Sequence, residues 1–324
     1  MAIFKPLGVE DKEILIKYLS KHCFNTYEYS FLTLYMWRRM CNIEYTLIDG
    51  SLIIKKTLEK TGSCFMQPLG YDAFSLKRIV LKLLDIRKQL AGMWKDPEPD
   101  AQKIAGSHCG CLFRDVEEPF LKDLVAVFGS SVKYIQDPGN FDYIYESSKL
   151  VSLSGKEYHA KKNLYNQFIK LYKHEVKNLR YDNGIPFECA TFAKEWHKKY
   201  GKGDRHLEYE LESILDVLSS FSLFDAEGIA VYIEGKPAGF AIGEKISRSM
   251  ATVHIEKADR TYKGIYAFIN KALIENCFPD VEYVNRQEDL GDESLRFAKM
   301  SYRPVRFEKK YIVDIGIDAD LYPV

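Results

Sequence analysis

Residues 253–276, VHIEKADRTYKGIYAFINKALIEN, and residues 281–304, VEYVNRQEDLGDESLRFAKMSYRP, each carry a strand-like segment that runs into a helix. Val253 and Ile255 alternate with His254 and Glu256, the period of a half-buried strand. Val281, Tyr283 and Val284 lead in the same way to Asn285. Polar residues gather where each strand ends: Glu256 and Asp259 after the first, Asn285 and Arg286 after the second. Ligands in open α/β folds bind outside the carboxyl ends of strands, so chemistry is expected here.

Upstream of this stretch, a strand near Val176–Leu179, helices over 187–200 and 206–221 and a hairpin turning at Gly235-Lys236 are predicted. Downstream, a helix over 292–300 and a closing strand over 307–313 follow. The first half of the chain shows a similar order. It has helices over 11–21, 27–40 and 75–90, and strands near Val132 and Tyr143. A hairpin turns at Asp49-Gly50, a strong turn signal between apolar runs. The repeated order predicts an internal duplication, with domains over 1–147 and 148–324, the second carrying the site. Between the halves runs a basic helix over 156–173, with Leu164, Phe168 and Leu171 as its apolar stripe. Its lysines, Lys161 and Lys162 beside Asn163 among them, form a face able to meet phosphates; a plain solvated surface is the competing reading.

Of the 324 residues, 46% are hydrophobic, which is ample for a sizeable core and excludes a disordered chain. Lys+Arg and Asp+Glu each number 46, so net charge points to neither nucleic acid nor an anionic membrane as partner. The seven scattered cysteines suit a reducing compartment better than a disulfide framework. The amino terminus lacks a signal-peptide pattern, and no apolar run reaches transmembrane length. A cytoplasmic protein without a transmembrane segment is expected. His108-Cys109-Gly110-Cys111 has no matching second pair, so buried thiols are the expectation and no metal is predicted.

The segments SGKEYHAKKNLYNQF (154–168), HIEKADRTYKGIYAFIN (254–270), YVNRQEDLGDESLRFAKMSYRP (283–304) and EYSFLTLYMWR (28–38) resemble the C-terminal domain of phosphatidylglycerol lysyltransferases. That resemblance implies an α/β fold made of two tandem GNAT-like (acyl-CoA N-acyltransferase) halves, with mixed sheets flanked by helices. It also implies acyl or aminoacyl transfer from an activated ester, an aminoacyl-tRNA end or a CoA thioester, to an amine or hydroxyl. Peripheral contact with anionic lipid belongs to the same expectation.

Ordinary acetyltransferases hold the coenzyme A pyrophosphate on a glycine-rich turn at a helix N-terminus. Here the corresponding stretch is Arg260-Thr-Tyr-Lys263-Gly264-Ile-Tyr266, with one glycine, which weakens coenzyme A as the donor. Ester aminolysis or alcoholysis needs a base and oxyanion stabilisation. Glu256 and Asp259 are the candidate bases, each also readable as an ordinary carboxylate at a strand end. Tyr302 sits where many acetyltransferases place a tyrosine general acid; a core tyrosine is the alternative. Asn285 and Arg286, with Arg296 and Lys299 on one helical face, are candidate substrate or donor ligands, as are Arg260, Lys263 and Gly264. The rival class is a non-catalytic binding module that kept the fold and lost the cofactor arm.

Overall fold

The computed structural model describes residues 3–58, 62–91, 111–182 and 184–316. Its strands are β1 (Lys5–Pro6), β2 (Glu44–Ile48), β3 (Ser51–Leu58), β4 (Gly62–Phe65), β5 (Phe113–Val116), β6 (Val132–Gln136), β7 (Asp142–Glu146), β8 (His174–Asn178), β9 (Ala226–Ile233), β10 (Lys236–Lys245), β11 (Met250–Ala258), β12 (Tyr283–Asn285), β13 (Arg306–Glu308) and β14 (Tyr311–Ile315). The helices are α1 (Lys12–Leu19), α2 (Phe31–Trp37), α3 (Leu76–Ala91), α4 (Glu118–Phe128), α5 (Ser147–Ser152), α6 (His159–Leu171), α7 (Gly184–Tyr200), α8 (Arg205–Ser219), α9 (Ile265–Cys277) and α10 (Glu293–Met300).

Two compact units result. The first comprises the described residues of 1–22, 37–140 and 309–324, and the second comprises 23–36 and the described residues of 141–308. Each has one seven-stranded mixed sheet, ordered β1-β2-β3-β4-β5-β14-β6 and β13-β7-β12-β11-β10-β9-β8. The last strand of each half has therefore changed sheets. β7 lies between β12 and β13, and β14 lies between β5 and β6.

The boundary expected at 147/148 does not follow this division. β7, on its N-terminal side, belongs to the second sheet, and β14, near the C-terminus, belongs to the first. The closing strand expected over 307–313 is accordingly two strands in two sheets. The expected helix over 27–40 is a turn of 3-10 helix at Tyr27–Tyr29 followed by α2.

The hairpin signals rest on sound turn chemistry. Asp49 and Gly50 have φ of 51° and 79°, and Glu234 and Gly235 have 51° and 76°, the positive pair that matches strand twist. The second turn thus falls one residue before Gly235-Lys236. In the first unit, α3 and α4 pack Ile79, Val80, Leu83, Phe120 and Leu124 on Phe113 and Val313. In the second, one sheet face carries Tyr145, Ala251 and Val253 into a core shared with Ile265, Ile269 and Leu273 of α9 and Phe168 of α6. Leu171, expected in that apolar stripe, is exposed. Against β10 packs α7, with Phe192 edge-on to Phe240 and the Trp196 indole donating to the Ala258 carbonyl at 2.9 Å.

Asn270 lies in α9, 1% exposed, and neither of its amide atoms has a hydrogen-bond partner among the described residues. An unmade buried hydrogen bond costs about 1–3 kcal/mol. Asn270→Leu, of similar volume, is expected to stabilise the protein by about 1 kcal/mol in urea unfolding; a loss of stability would show that the amide is satisfied by water.

Candidate functional site

β11 and β12 run parallel only where Met250–Thr252 pair with Tyr283–Asn285. β12 then ends while β11 continues to Ala258. Beyond Thr252 the two strands part, and side chains from several elements meet at the opening. Arg286, the first residue after β12, donates from Nη2 to Oε2 of Glu256 on β11 at 3.2 Å. Its guanidinium lies 4.8 Å from the Tyr302 ring centroid and 5.8 Å from that of Tyr145. Nη1 of the same guanidinium is buried without an acceptor among the described residues. Lys161 of α6 lies with Nζ 4.3 Å from the Tyr302 centroid. Lys299 of α10 donates to the carbonyls of Arg286 and Gln287.

Burial decides the protonation of these groups. It pushes Tyr302 up to about 12, so the phenol keeps its proton at neutral pH. Lys161 is lowered by burial and then by Arg286. Lys299 falls to about 8 from the same two causes. The cluster thus sets a protonated phenol beside Glu256, Arg286 and Lys161, a set suited to moving a proton and stabilising negative charge.

Local hydrogen bonding shapes the connection from β12 to α10. The Asn285 side chain accepts from Gln287 N at 2.7 Å, and Gln287 takes φ of 60°, so the chain turns sharply after Arg286. Gln287 Nε2 meets His254 Nδ1 at 3.1 Å, and His254 Nε2 meets Glu244 at 2.8 Å. Buried Asp289 accepts from the Tyr143 hydroxyl at 2.5 Å, Arg296 Nε at 2.7 Å and Gly291 N at 2.8 Å. Asp292, where the helix expected over 292–300 begins, caps α10 by accepting from Leu295 N at 2.8 Å.

Glu256, Lys161, Arg286, Lys299 and Tyr302 come together; the remaining predicted residues have other partners or face solvent. Asp259 anchors its own loop, accepting from Thr261 N at 2.9 Å and from Lys199 and the Tyr200 hydroxyl at 3.2 Å each. Arg260 stacks on Tyr200 and Trp196 at 4.8 and 5.5 Å. Asn285 is fully buried and donates to Asp142 at 2.8 Å, a structural tie rather than a ligand in reach. Arg296 is held by Asp289. Lys162 and Asn163 are exposed on α6, Asn163 reaching only His159 at 3.4 Å.

The turn before α9 is filled from within. A Cβ at Gly264 would collide with the Leu164 carbonyl of α6, and φ there is 86°. Thr261 N bonds to the Asp259 side chain, Tyr262 N to Asp259 O at 3.2 Å, and Lys263 N to the Tyr172 hydroxyl at 3.2 Å. The N–H groups of Thr261, Tyr262 and Lys263 in this turn are thus bonded to the protein itself.

Sequence reasoning missed Tyr145, the Glu244–His254–Gln287 chain, and the segment 23–36 that joins this unit. Tyr27 donates through N to Asp142 at 3.2 Å and through its hydroxyl to Glu288 at 2.9 Å. Oxygens of Glu28, Asp142 and Glu288 lie within 4.8 Å of one another, the one metal-like grouping among the described residues. The only signal for this segment was the 28–38 motif. Of His108-Cys109-Gly110-Cys111, only Cys111 lies within the described residues, buried as expected.

The two sheets and the parted strands define a protein of the tandem GNAT-like α/β class. Residues 101–314 match the family described as phosphatidylglycerol lysyltransferase, C-terminal, and the chain belongs to it. A conserved protein of unknown function from Bacteroides thetaiotaomicron is similar at 28% identity, with a TM-score of 0.81 over 97% of this chain and 100% of that one. L-PGS from Bacillus licheniformis shares the fold at 13% identity, with a TM-score of 0.59 over 98% and 95% of the two chains. An uncharacterised protein of Mycoplasmoides gallisepticum is 25% identical over 179 residues, 54% of this chain and 56% of its own length. The match thus spans little more than half of that relative. No helix among the described residues is long and apolar enough to cross a membrane.

Lys299 binds fewer protons in the folded protein than in the unfolded chain between pH of about 8 and its ordinary value near 10.5. Its contribution to stability therefore rises with pH across that window, by at most about 1.4 kcal/mol per pH unit. Compared with Lys299→Met, the wild-type protein should gain stability from pH 8 to 10 in urea titrations; parallel curves would refute the buried-lysine account.

Proposed function

We propose that the protein transfers an acyl or aminoacyl group from an activated ester to an amine or hydroxyl, in the opening between β11 and β12. Glu256 takes the proton of the attacking nucleophile as its bond to the donor carbonyl forms. Tyr302 gives its proton to the leaving oxygen as the ester bond breaks, and the proton held by Glu256 returns through solvent to the phenol. Arg286 orients Glu256 through their hydrogen bond. This division of labour rests on Arg286, which holds Glu256 and lies 4.8 Å from the ring of Tyr302, a phenol that burial keeps protonated.

An aminoacyl-tRNA end suits this chain better as donor than coenzyme A. The observation that carries this preference is the self-bonded turn before α9, where Leu164 already stands against Gly264. On the outer side, Lys156, Lys162, Lys170 and Lys173 are exposed without ion-pair partners among the described residues. They offer a phosphate backbone a cationic face while Lys161 reaches inward, so binding should weaken steeply with salt. The same face suits an anionic lipid headgroup, and the family description names phosphatidylglycerol as a lysyl acceptor. An acceptor hydroxyl on such a lipid fits the reading.

The test is a single-turnover transfer assay with charged tRNA, beside titration with acyl-CoA. Transfer from tRNA is expected, with no saturable coenzyme A binding. Glu256→Gln should slow transfer about 100-fold or more while tRNA binding persists. Binding without transfer to any amine or hydroxyl would favour the non-catalytic module. Tight acyl-CoA binding would overturn the donor assignment.

A further inference from the structure

Two cationic groups beside Tyr302 keep hydrogen-bonding capacity that the nearby Glu256 carboxylate does not fill. Glu256 engages Nη2 of Arg286, yet Nη1 is buried with no acceptor among the described residues. Lys161 Nζ also lacks an acceptor there, and rests 4.3 Å from the centroid of the ring that Arg286 approaches to 4.8 Å. The two cations repel, and Arg286 is one reason the Lys161 ammonium loses its proton more readily. Lys299 is not a third free member, because its nitrogen is taken by the carbonyls of Arg286 and Gln287.

Such an arrangement is unfavourable on its own. Buried donors without acceptors lose their hydration and recover nothing, and charged ones lose more. An oxyanion between Nη1 and Nζ would supply both missing acceptors and offset the repulsion. A guanidinium edge matches the geometry of phosphate and carboxylate oxygens, and charge-assisted bonds are stronger where aromatic rings exclude water. Tyr302 and Tyr145 provide those rings. Lys161, on the surface of α6 and only part-buried, is the movable member that admits the anion.

We propose that Lys161 and the unpaired Nη1 of Arg286 form a seat for one oxyanion, a phosphate or carboxylate carried by a substrate. Its link to a substrate rests on the transfer reading above; the seat itself does not. Two sources share the chemistry, the terminal nucleotide of the donor and an anionic acceptor.

The experiment is calorimetric titration of the intact protein with inorganic phosphate, then with AMP and methyl phosphate. Saturable phosphate binding at millimolar concentration is expected, weakened about tenfold or more in Lys161→Met and in Arg286→Gln and unchanged in Lys236→Met, at the exposed start of β10. If Arg286→Gln fails to fold by circular dichroism, Lys161→Met decides alone. Tighter binding of AMP than of methyl phosphate assigns the seat to the donor; equal or weaker binding assigns it to the acceptor. No phosphate binding by the wild-type protein at 100-fold the expected range, about 0.1 M, or equal affinity in Lys161→Met, would overturn the proposal. Phosphate binding in a protein that transfers nothing would leave the seat standing and remove the transfer reading.

Discussion

The pairing of β7 with β12 is the constraint on which the site depends. Tyr283, Val284 and Asn285 lie against Glu146, Tyr145 and Ile144, so a strand from the N-terminal half forms the floor beside β12. Its backbone holds the turn that follows: Arg286 N donates to Tyr143 O at 3.0 Å, and Tyr143 N donates to Gln287 O at 3.2 Å. The Tyr145 hydroxyl donates to Lys299 O at 2.9 Å, fixing the end of α10 and hence the approach to Tyr302. Asp142, at the start of the same strand, receives Asn285 and the Tyr27 amide. One exchanged strand thus positions a cation, a phenol and a turn that lie far from it in the chain.

The opening between β11 and β12 and the turn before α9 have different fates. The opening keeps titratable groups with unfilled hydrogen-bonding capacity, at Arg286 Nη1 and Lys161. The turn has none to offer at Thr261, Tyr262 or Lys263, whose N–H groups bond to Asp259 and Tyr172. In physical terms the fold leaves donors unfilled at the strand opening and fills those of the turn. A donor that carries its phosphates elsewhere, against the outer face of α6, is consistent with both.

Much of this was legible in residue order. Alternation at 253–256 marked β11, Asp292 marked the start of α10, and Asp49-Gly50 marked a hairpin, because each signal is local and its cause lies within a few residues. Glu256, Arg286, Lys161 and Lys299 could be nominated from strand ends and helix faces, and Tyr302 from the resemblance to acetyltransferases. What sequence could not show was partnership across distance. Nothing in the 307–313 stretch says that it splits between two sheets, since Glu308 and Tyr311 both suit a strand. Asp259 and Asn285 looked equally available as ligands; only tertiary hydrogen bonds to Lys199, Tyr200 and Asp142 show them engaged. Leu171 had the right spacing for the core of α6, but the helix ends there and leaves it in solvent.

The central claim is that Glu256 and Arg286 act as one unit where the two strands part. A double-mutant cycle with Glu256→Gln and Arg286→Gln, read by single-turnover transfer from charged tRNA, tests it most directly. The account predicts strong non-additivity, with the double variant about as slow as the slower single variant. Independent, additive losses, or two single variants as fast as wild type, would contradict it.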